Sequence, residues 1–227
     1  MCALVGPNAA GKSTLLRLLM GHHTPWSGQV CLDGTPLRRR ATCTRAHLIS
    51  YVPQQGSVAF AFTVEEMVRM GIHAGGGYLS SAARAMSMCE VEALHDRVFQ
   101  HLSTGQQQRV VLARAIAQSS AHGRFMLLDE PVSAMDVAHA HRTMALLRTL
   151  AAKGLGVLAV LHDIDLAARY ADDVWLMAGG ELTASGPWDE VLTTDNLEPV
   201  YGVHLERIAS GSGRRPMFYV QPPGTMA

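Results

Sequence analysis

Apolar and polar positions fall along this chain in short blocks that read as strands and helices taken in turn. The run Cys2, Ala3, Leu4, Val5 is a buried strand, and residues 14–20 (TLLRLLM) carry a helical pattern stopped by Gly21. Residues 29–32 read as a short strand closed by an Asp33-Gly34 hairpin turn, and residues 49–52 as another strand, ended by Pro53. Thr63 and Glu66 form a capping box that opens a helix broken by Gly75, Gly76 and Gly77. Residues 80–101 keep a helical, polar pattern, so residues 63–101 are expected to form a helical insertion, with Met67, Met70, Met86 and Met88 as packing residues. A new helix starts after Leu102. Residues 125–128 and 157–161 are apolar strands, with a helix between them capped by Asp136 and closed by Gly154. A short helix (166–170), a strand (174–177), the Gly179-Gly180 turn and residues 181–184 follow, then small helices at 188–192 and 196–201. The tail, 209–227, carries a linker-like stretch at 211–215, with a strand expected at 218–220. Strands alternating with helices predict an α/β fold, a mostly parallel sheet covered by helices.

Between the first strand and the first helix lies Gly6-Pro7-Asn8-Ala9-Ala10-Gly11-Lys12-Ser13-Thr14, a match to G-x-x-x-x-G-K-[ST] in the strand–loop–helix context that gives the pattern its meaning. Successive backbone N–H groups and the positive end of the helix dipole are directed at one spot, where a polyphosphate binds. Lys12 adds a point charge for the β/γ-phosphates, and the Ser13 hydroxyl is a ligand for Mg²⁺. The pattern predicts a nucleoside triphosphate site.

Composition narrows the partners. The 227 residues are 48% apolar, and 19 basic residues balance 19 acidic ones, which argues against a nucleic-acid footprint. The basic stretch Arg38, Arg39, Arg40, with Arg45, reads as a solvated face. Four scattered cysteines without a C-x-x-C pair read as reduced thiols rather than as a zinc site or disulfide framework. No apolar run approaches the roughly 18 residues of a membrane span, and no leader pattern is present, so work at a membrane would go through a partner.

In a parallel sheet, sites form beyond the carboxyl ends of the strands. The phosphate loop, the pair Asp129 and Glu130, His162 after its strand, and Gln54 just past another are therefore expected at one edge. Each suits phosphoryl transfer to water: Asp129 for Mg²⁺, Glu130 to orient the attacking water or take its proton, His162 and Gln54 for the γ-phosphate and metal shell. His22, His23, His139 and His141 read as surface or packing residues.

GPNAAGKST, the Pro53-Gln54 pair, LSTGQQQR, FMLLDEP, SAMD ending at Asp136, and His162 stand in the order of an ABC-type ATPase, and the chain resembles that family over nearly its whole length. The resemblance implies one ABC ATPase domain with an inserted helical subdomain, and two such subunits sandwiching two ATP molecules head to tail. Leu102, Ser103, Thr104, Gly105 and Gln106 would contact the ATP of the partner subunit, and Ser133 and Asp136 would belong to the D-loop. Glu130 would be the catalytic base, with ATP and Mg²⁺ (at Ser13, Gln54 and Asp129) as cofactors. Partners would be two transmembrane permease subunits and a periplasmic or extracellular substrate-binding protein, with the ATPase peripheral on the cytoplasmic face of the inner membrane. The stretches AFTVEEMVRMG, DVAHAH, VLHD and DEVLT look most like importers of iron chelates, haem and cobalamin, and among these the hemin importers.

Three departures from the family pattern stand out. Ala9 occupies a usual glycine; a positive φ there costs about 1–2 kcal/mol. Thr104 replaces the first glycine of the signature, and the strands and adenine-stacking aromatic that precede the loop in the family are expected to be missing, the domain being N-terminally incomplete. A siderophore or cobalamin importer and a hydrolytically weak regulatory subunit are the alternatives. A GTPase is excluded for want of an N-K-x-D segment.

Overall fold

The computed structural model describes residues 1–54, 56, 58–208 and 215–220. In chain order they form β1 (Cys2–Val5), α1 (Lys12–Leu19), β2 (Cys31–Leu32), β3 (Thr35–Pro36), α2 (Thr42–Leu48), β4 (Ile49–Val52), α3 (Val64–Gly75), α4 (Leu79–Met88), α5 (Thr104–Ser119) and β5 (Phe125–Asp129). Then come α6 (Val137–Ala152), β6 (Gly156–Val160), α7 (Ile164–Tyr170), β7 (Asp173–Ala178), β8 (Glu181–Pro187), α8 (Trp188–Val191), α9 (Thr194–Tyr201), β9 (Leu205–Ile208) and β10 (Met217–Val220). Strands alternate with helices as the apolar blocks predict, and the fold is α/β. Residues 209–214, which hold all but the last residue of the expected linker, and the end of the tail, 221–227, lie outside the described residues.

The chain divides into two compact units, residues 1–13 with 159–227, and residues 14–158. In the first, β1 pairs in parallel with β7, from Cys2 opposite Asp173 to Val5 opposite Leu176. β7 pairs antiparallel with β8, with an irregularity between Leu176 and Met177. Ala3, Leu4 and Val5 have no exposed surface, which explains why β1 reads as a continuous apolar run and not as an alternating one. The antiparallel ribbon β9–β10 is anchored by Arg215, whose guanidinium lies 4.8 Å from the Trp188 ring centre and donates to the Ala168 carbonyl.

In the second unit β4 and β5 pair in parallel, from Ile49 opposite Phe125 to Val52 opposite Leu128. β2 and β3 meet across the Asp33-Gly34 turn, both of whose residues have positive φ (51° and 71°), as a tight hairpin requires. The Thr63 capping box is present: its Oγ1 accepts from the Glu66 N–H, and the Glu66 carboxylate accepts from the Thr63 N–H. Gly76, at φ 71°, ends α3. Helix α3 lies on α5 at two glycines one turn apart. A Cβ on Gly71 would stand 2.1 Å from the Arg114 carbonyl oxygen, and one on Gly75 1.9 Å from that of Gln118. Met67 and Met86 are buried in this helical layer, as packing residues.

Two expectations need correction. The helical pattern over 80–101 stops at Met88, because Arg109 takes the carbonyls of Cys89 and Glu90 (3.3 and 2.8 Å), and Glu90 turns to φ 55°. The chain returns through two single 3-10 turns (Glu92–Leu94 and Phe99–His101) beside the start of α3, with Val64 donating to Arg97 and Phe99 to Phe62. The basic stretch is not uniformly solvated either. Arg40 donates to the Leu32 carbonyl and Arg45 to that of Gly21, both at 2.9 Å, so two of the four arginines tie loops together.

Candidate functional site

The first unit carries the glycine-rich loop. Gly6 adopts φ 149°, and glycine is required there because a Cβ would stand 2.0 Å from the Met177 carbonyl oxygen of β7. Gly11 (φ 96°) sits against the Met177 side chain, and the Gly180 N–H donates to the Ala10 carbonyl at 3.1 Å. The β7–β8 hairpin thus buttresses the loop, a support that no spacing in the sequence announces. Ala9 takes φ 61°, so the departure from glycine places a side chain in the left-handed region, at a cost of about 1–2 kcal/mol. Lys12 is buried, and its Nζ donates to the carbonyls of Gly6 (2.6 Å) and Pro7 (2.7 Å), which hold the ammonium within the loop. Pro7, Asn8, Ala10 and Ser13 complete the turn, and Thr14 is exposed on α1. In the same unit the Leu161 N–H donates to Leu4 of β1, and the exposed His162 follows directly.

The second unit carries the carboxylates. Asp129 ends β5 and is buried, with one carboxylate oxygen, Oδ1, lacking a hydrogen-bond partner among the described residues. Across the ladder Tyr51 sits opposite Leu127, a diagonal step from Asp129 on the same face. Burial, and then the neighbouring Asp129 carboxylate, push the Tyr51 phenol above its ordinary value. Glu130 follows at φ 51°, and its Oε2 accepts from Gln54 Nε2 at 2.7 Å, so the structure brings together these two sequence-predicted residues 76 positions apart. An inward-facing carboxylate oxygen without a partner suits a divalent cation shell, so the residues present fit Mg²⁺.

The signature segment lies in the same unit. Ser103 caps α5: its Oγ accepts from the Gln106 N–H (3.3 Å), and Gln106 Oε1 accepts from the Ser103 N–H (3.0 Å). Leu102 is buried, whereas Thr104 is exposed. Gly105 has no room for a Cβ, which would stand 2.8 Å from the Ala134 carbonyl oxygen. A depression of about 500 Å³ is lined by Ser103, Thr104, Gly105, Gln106 and Arg109 on one side and by Ala134, Met135, Asp136 and His139 on the other. Asp136 caps α6 through the His139 N–H at 2.8 Å and meets the His139 ring at 2.7 Å; these two contacts hold its carboxyl below the usual range. His139, read from sequence as surface or packing, thus helps wall the pocket. Ser133 donates to the Glu130 carbonyl at 3.1 Å. Sequence reasoning missed Tyr51, His139 and the buried Gln108, and nothing local in the sequence signals them.

The sequence profile of the ABC transporter family matches residues 1–133. The hemin import ATP-binding protein HmuV of Ruegeria sp. (strain TM1040) is 42% identical over 212 residues, covering 90% of this chain and 81% of that protein. Among solved structures, an inward-facing ABC transporter described as of the metal-chelate type superposes with a TM-score of 0.82 at 28% identity, covering 98% of this chain and 86% of that one. A dimeric, post-hydrolysis structure of the ATP-binding cassette MJ0796, bound to ADP and Pi, gives a TM-score of 0.74 at 27% identity, over 83% of this chain and 85% of that one. Matched in profile over more than half its length, and in sequence and fold over most of it, the chain belongs to the ABC transporter family.

Proposed function

We propose that this chain is the ATP-hydrolysing subunit that energises a hemin importer. The observation that carries the chemistry is the end of β5, where the Glu130 carboxylate accepts from Gln54 beside the buried Asp129. Glu130 acts as general base, orienting the attacking water and accepting its proton. The loop of Gly6, Pro7, Asn8, Ala9, Ala10, Gly11, Lys12, Ser13 and Thr14 binds the phosphates through backbone N–H groups and the Lys12 ammonium. Ser13, Gln54 and Asp129 would hold Mg²⁺, which when bound neutralises phosphate charge. His162 serves the γ-phosphate. Ser103, Thr104, Gly105 and Gln106, with Ser133 and Asp136, face the nucleotide of a second copy, a reading supported by the dimeric form of the MJ0796 cassette, whereas Leu102 is buried within its own subunit.

The chain is one ABC ATPase domain, its helical subdomain at 63–101. Among the described residues no helix is long and apolar enough to cross a membrane. In this reading the subunit works with two transmembrane permease subunits on the cytoplasmic face of the inner membrane, with a substrate-binding protein delivering cargo, and membership of the ABC transporter family supports the permease partners. Hemin is favoured by the 42% identical HmuV relative. A siderophore or cobalamin chelate is the second reading, favoured by the metal-chelate type neighbour.

Replacing Glu130 by Gln tests the chemistry. In the assembled transporter, hydrolysis falls about 10²–10⁴-fold, the worth of a positioned general base, while ATP binding is retained. Hydrolysis within a few-fold of the parent removes Glu130 from that role. Growth on hemin as sole iron source tests the cargo; growth on a ferric siderophore but not on hemin moves the assignment to the alternative.

A further inference from the structure

Gln108, the fifth residue of the helix that Ser103 caps, is an unusual core residue: a neutral amide only 5% exposed on an otherwise apolar face. Burying an amide is costly unless its groups are paired, and here each has a partner. Its Nε2 donates to the Glu130 carbonyl at 3.3 Å and to Ser133 Oγ at 3.1 Å, and its Oε1 accepts from the Ala134 N–H at 3.2 Å. The side chain thus binds three points of the turn that leaves β5. That turn is strained at its first residue, since Glu130 holds φ 51° with a side chain present. A left-handed non-glycine residue persists only where its surroundings over-determine it, and Gln108 supplies hydrogen bonds on that residue's own carbonyl.

We infer that Gln108 is a positioning residue for hydrolysis, which ties the backbone of Glu130 and the Ser133–Ala134 turn to the signature helix. The inference rests on the reading of Glu130 as general base. The orientation of its carboxylate follows from its φ and ψ, and the carbonyl that Gln108 holds is part of the peptide that sets ψ. The Gln54 contact restrains the same residue at the other end, at its carboxylate. A signature helix displaced along its axis would carry Gln108 with it and release the strained turn. The inference therefore joins the composite part of the site to the base within a single subunit.

The test uses the full chain assembled with its permease. Gln108→Glu keeps the volume and the acceptor for Ala134 but removes both donated bonds, and Gln108→Leu removes all three. Both variants are expected to lose kcat by about 10²-fold, the usual cost of a misplaced reacting group, while the KM for ATP and equilibrium ATP binding stay within about 3-fold. In a Glu130→Gln background, Gln108→Glu should cost less than about 3-fold further, because both changes act through one group. A parent-like kcat in Gln108→Glu overturns the inference, and so does a loss shared equally between kcat and ATP binding, which marks plain core packing. Should Gln108→Leu fail to fold, the near-isosteric Glu variant decides alone. If Glu130→Gln itself hydrolyses normally, the base assignment fails, a result distinguishable from failure of Gln108.

Discussion

The phosphate loop and the end of β5 solve the same local problem by different means. Each holds a non-glycine residue in the left-handed region, Ala9 at φ 61° and Glu130 at φ 51°. The loop does so largely within itself, Lys12 reaching back five and six residues to the carbonyls of Pro7 and Gly6, with backbone of the β7–β8 hairpin as a distant support. The strand end does so with side chains from far along the chain, Gln54 at a separation of 76 and Gln108 at 22. A site built mainly from local backbone is announced by glycine spacing, even where a distant hairpin supports it. A site built from side chains depends on tertiary structure to bring its members together.

The largest test of that contrast is Gly6→Ala. Its Cβ would overlap a carbonyl oxygen that β7 cannot move, in a backbone region that side chains avoid. Overpacking and backbone strain together predict a loss of about 3 kcal/mol or more in unfolding by urea, with ATP binding abolished. A stable, nucleotide-binding variant would show that the loop does not depend on close backbone approach. Ala9→Gly should act in the opposite direction and more weakly. It relieves about 1–2 kcal/mol of left-handed strain but adds about 0.4–1 kcal/mol of freedom to the unfolded chain. The expected net gain is up to about 1.6 kcal/mol in the same urea titration, and a loss would mean that the alanine methyl packs favourably.

The smallest effect belongs to the side-chain-built unit and depends on pH. Arg142, donating to Glu90 at 2.8 Å, holds that carboxyl below its ordinary value. A carboxylate whose folded pKa is depressed contributes stability above its unfolded pKa, about 4.3, and the contribution is lost as pH falls through the folded value. The pair is exposed, so Glu90→Gln should lower the melting temperature only slightly at pH 7, with the difference from the parent vanishing in acid. A difference that grows on acidification would reverse the sign and remove the ion pair as its cause.

The contrast also explains what the sequence discloses. The glycine-rich loop, the Thr63 capping box, the Asp136 cap and the Asp33-Gly34 turn follow from short-range rules, and all are present. The end of α4 is different. Residues 89–101 keep a helix-like pattern, but Arg109, distant in sequence, captures the carbonyls that a continuing helix would use. Gln108 is hidden for a related reason. In the string LSTGQQQR three glutamines look alike, and only packing makes Gln108 the buried one while Gln107 donates to the Phe99 carbonyl. His139 reads as a surface histidine until α6 sets it beside Asp136 and, at 3.7 Å, Glu90.

The two glycines between α3 and α5 have a mechanical consequence. Where helices meet through side chains, a small push on one is absorbed by rotamer changes before it reaches the other. At Gly71 and Gly75 the Cα atoms of α3 rest against the Arg114 and Gln118 carbonyls of α5, with no rotatable group between them. Such a joint has little slack. A load applied to α3 passes to α5 as displacement rather than as heat in side-chain motion, and α5 is the helix that begins at Thr104 and carries Gln108.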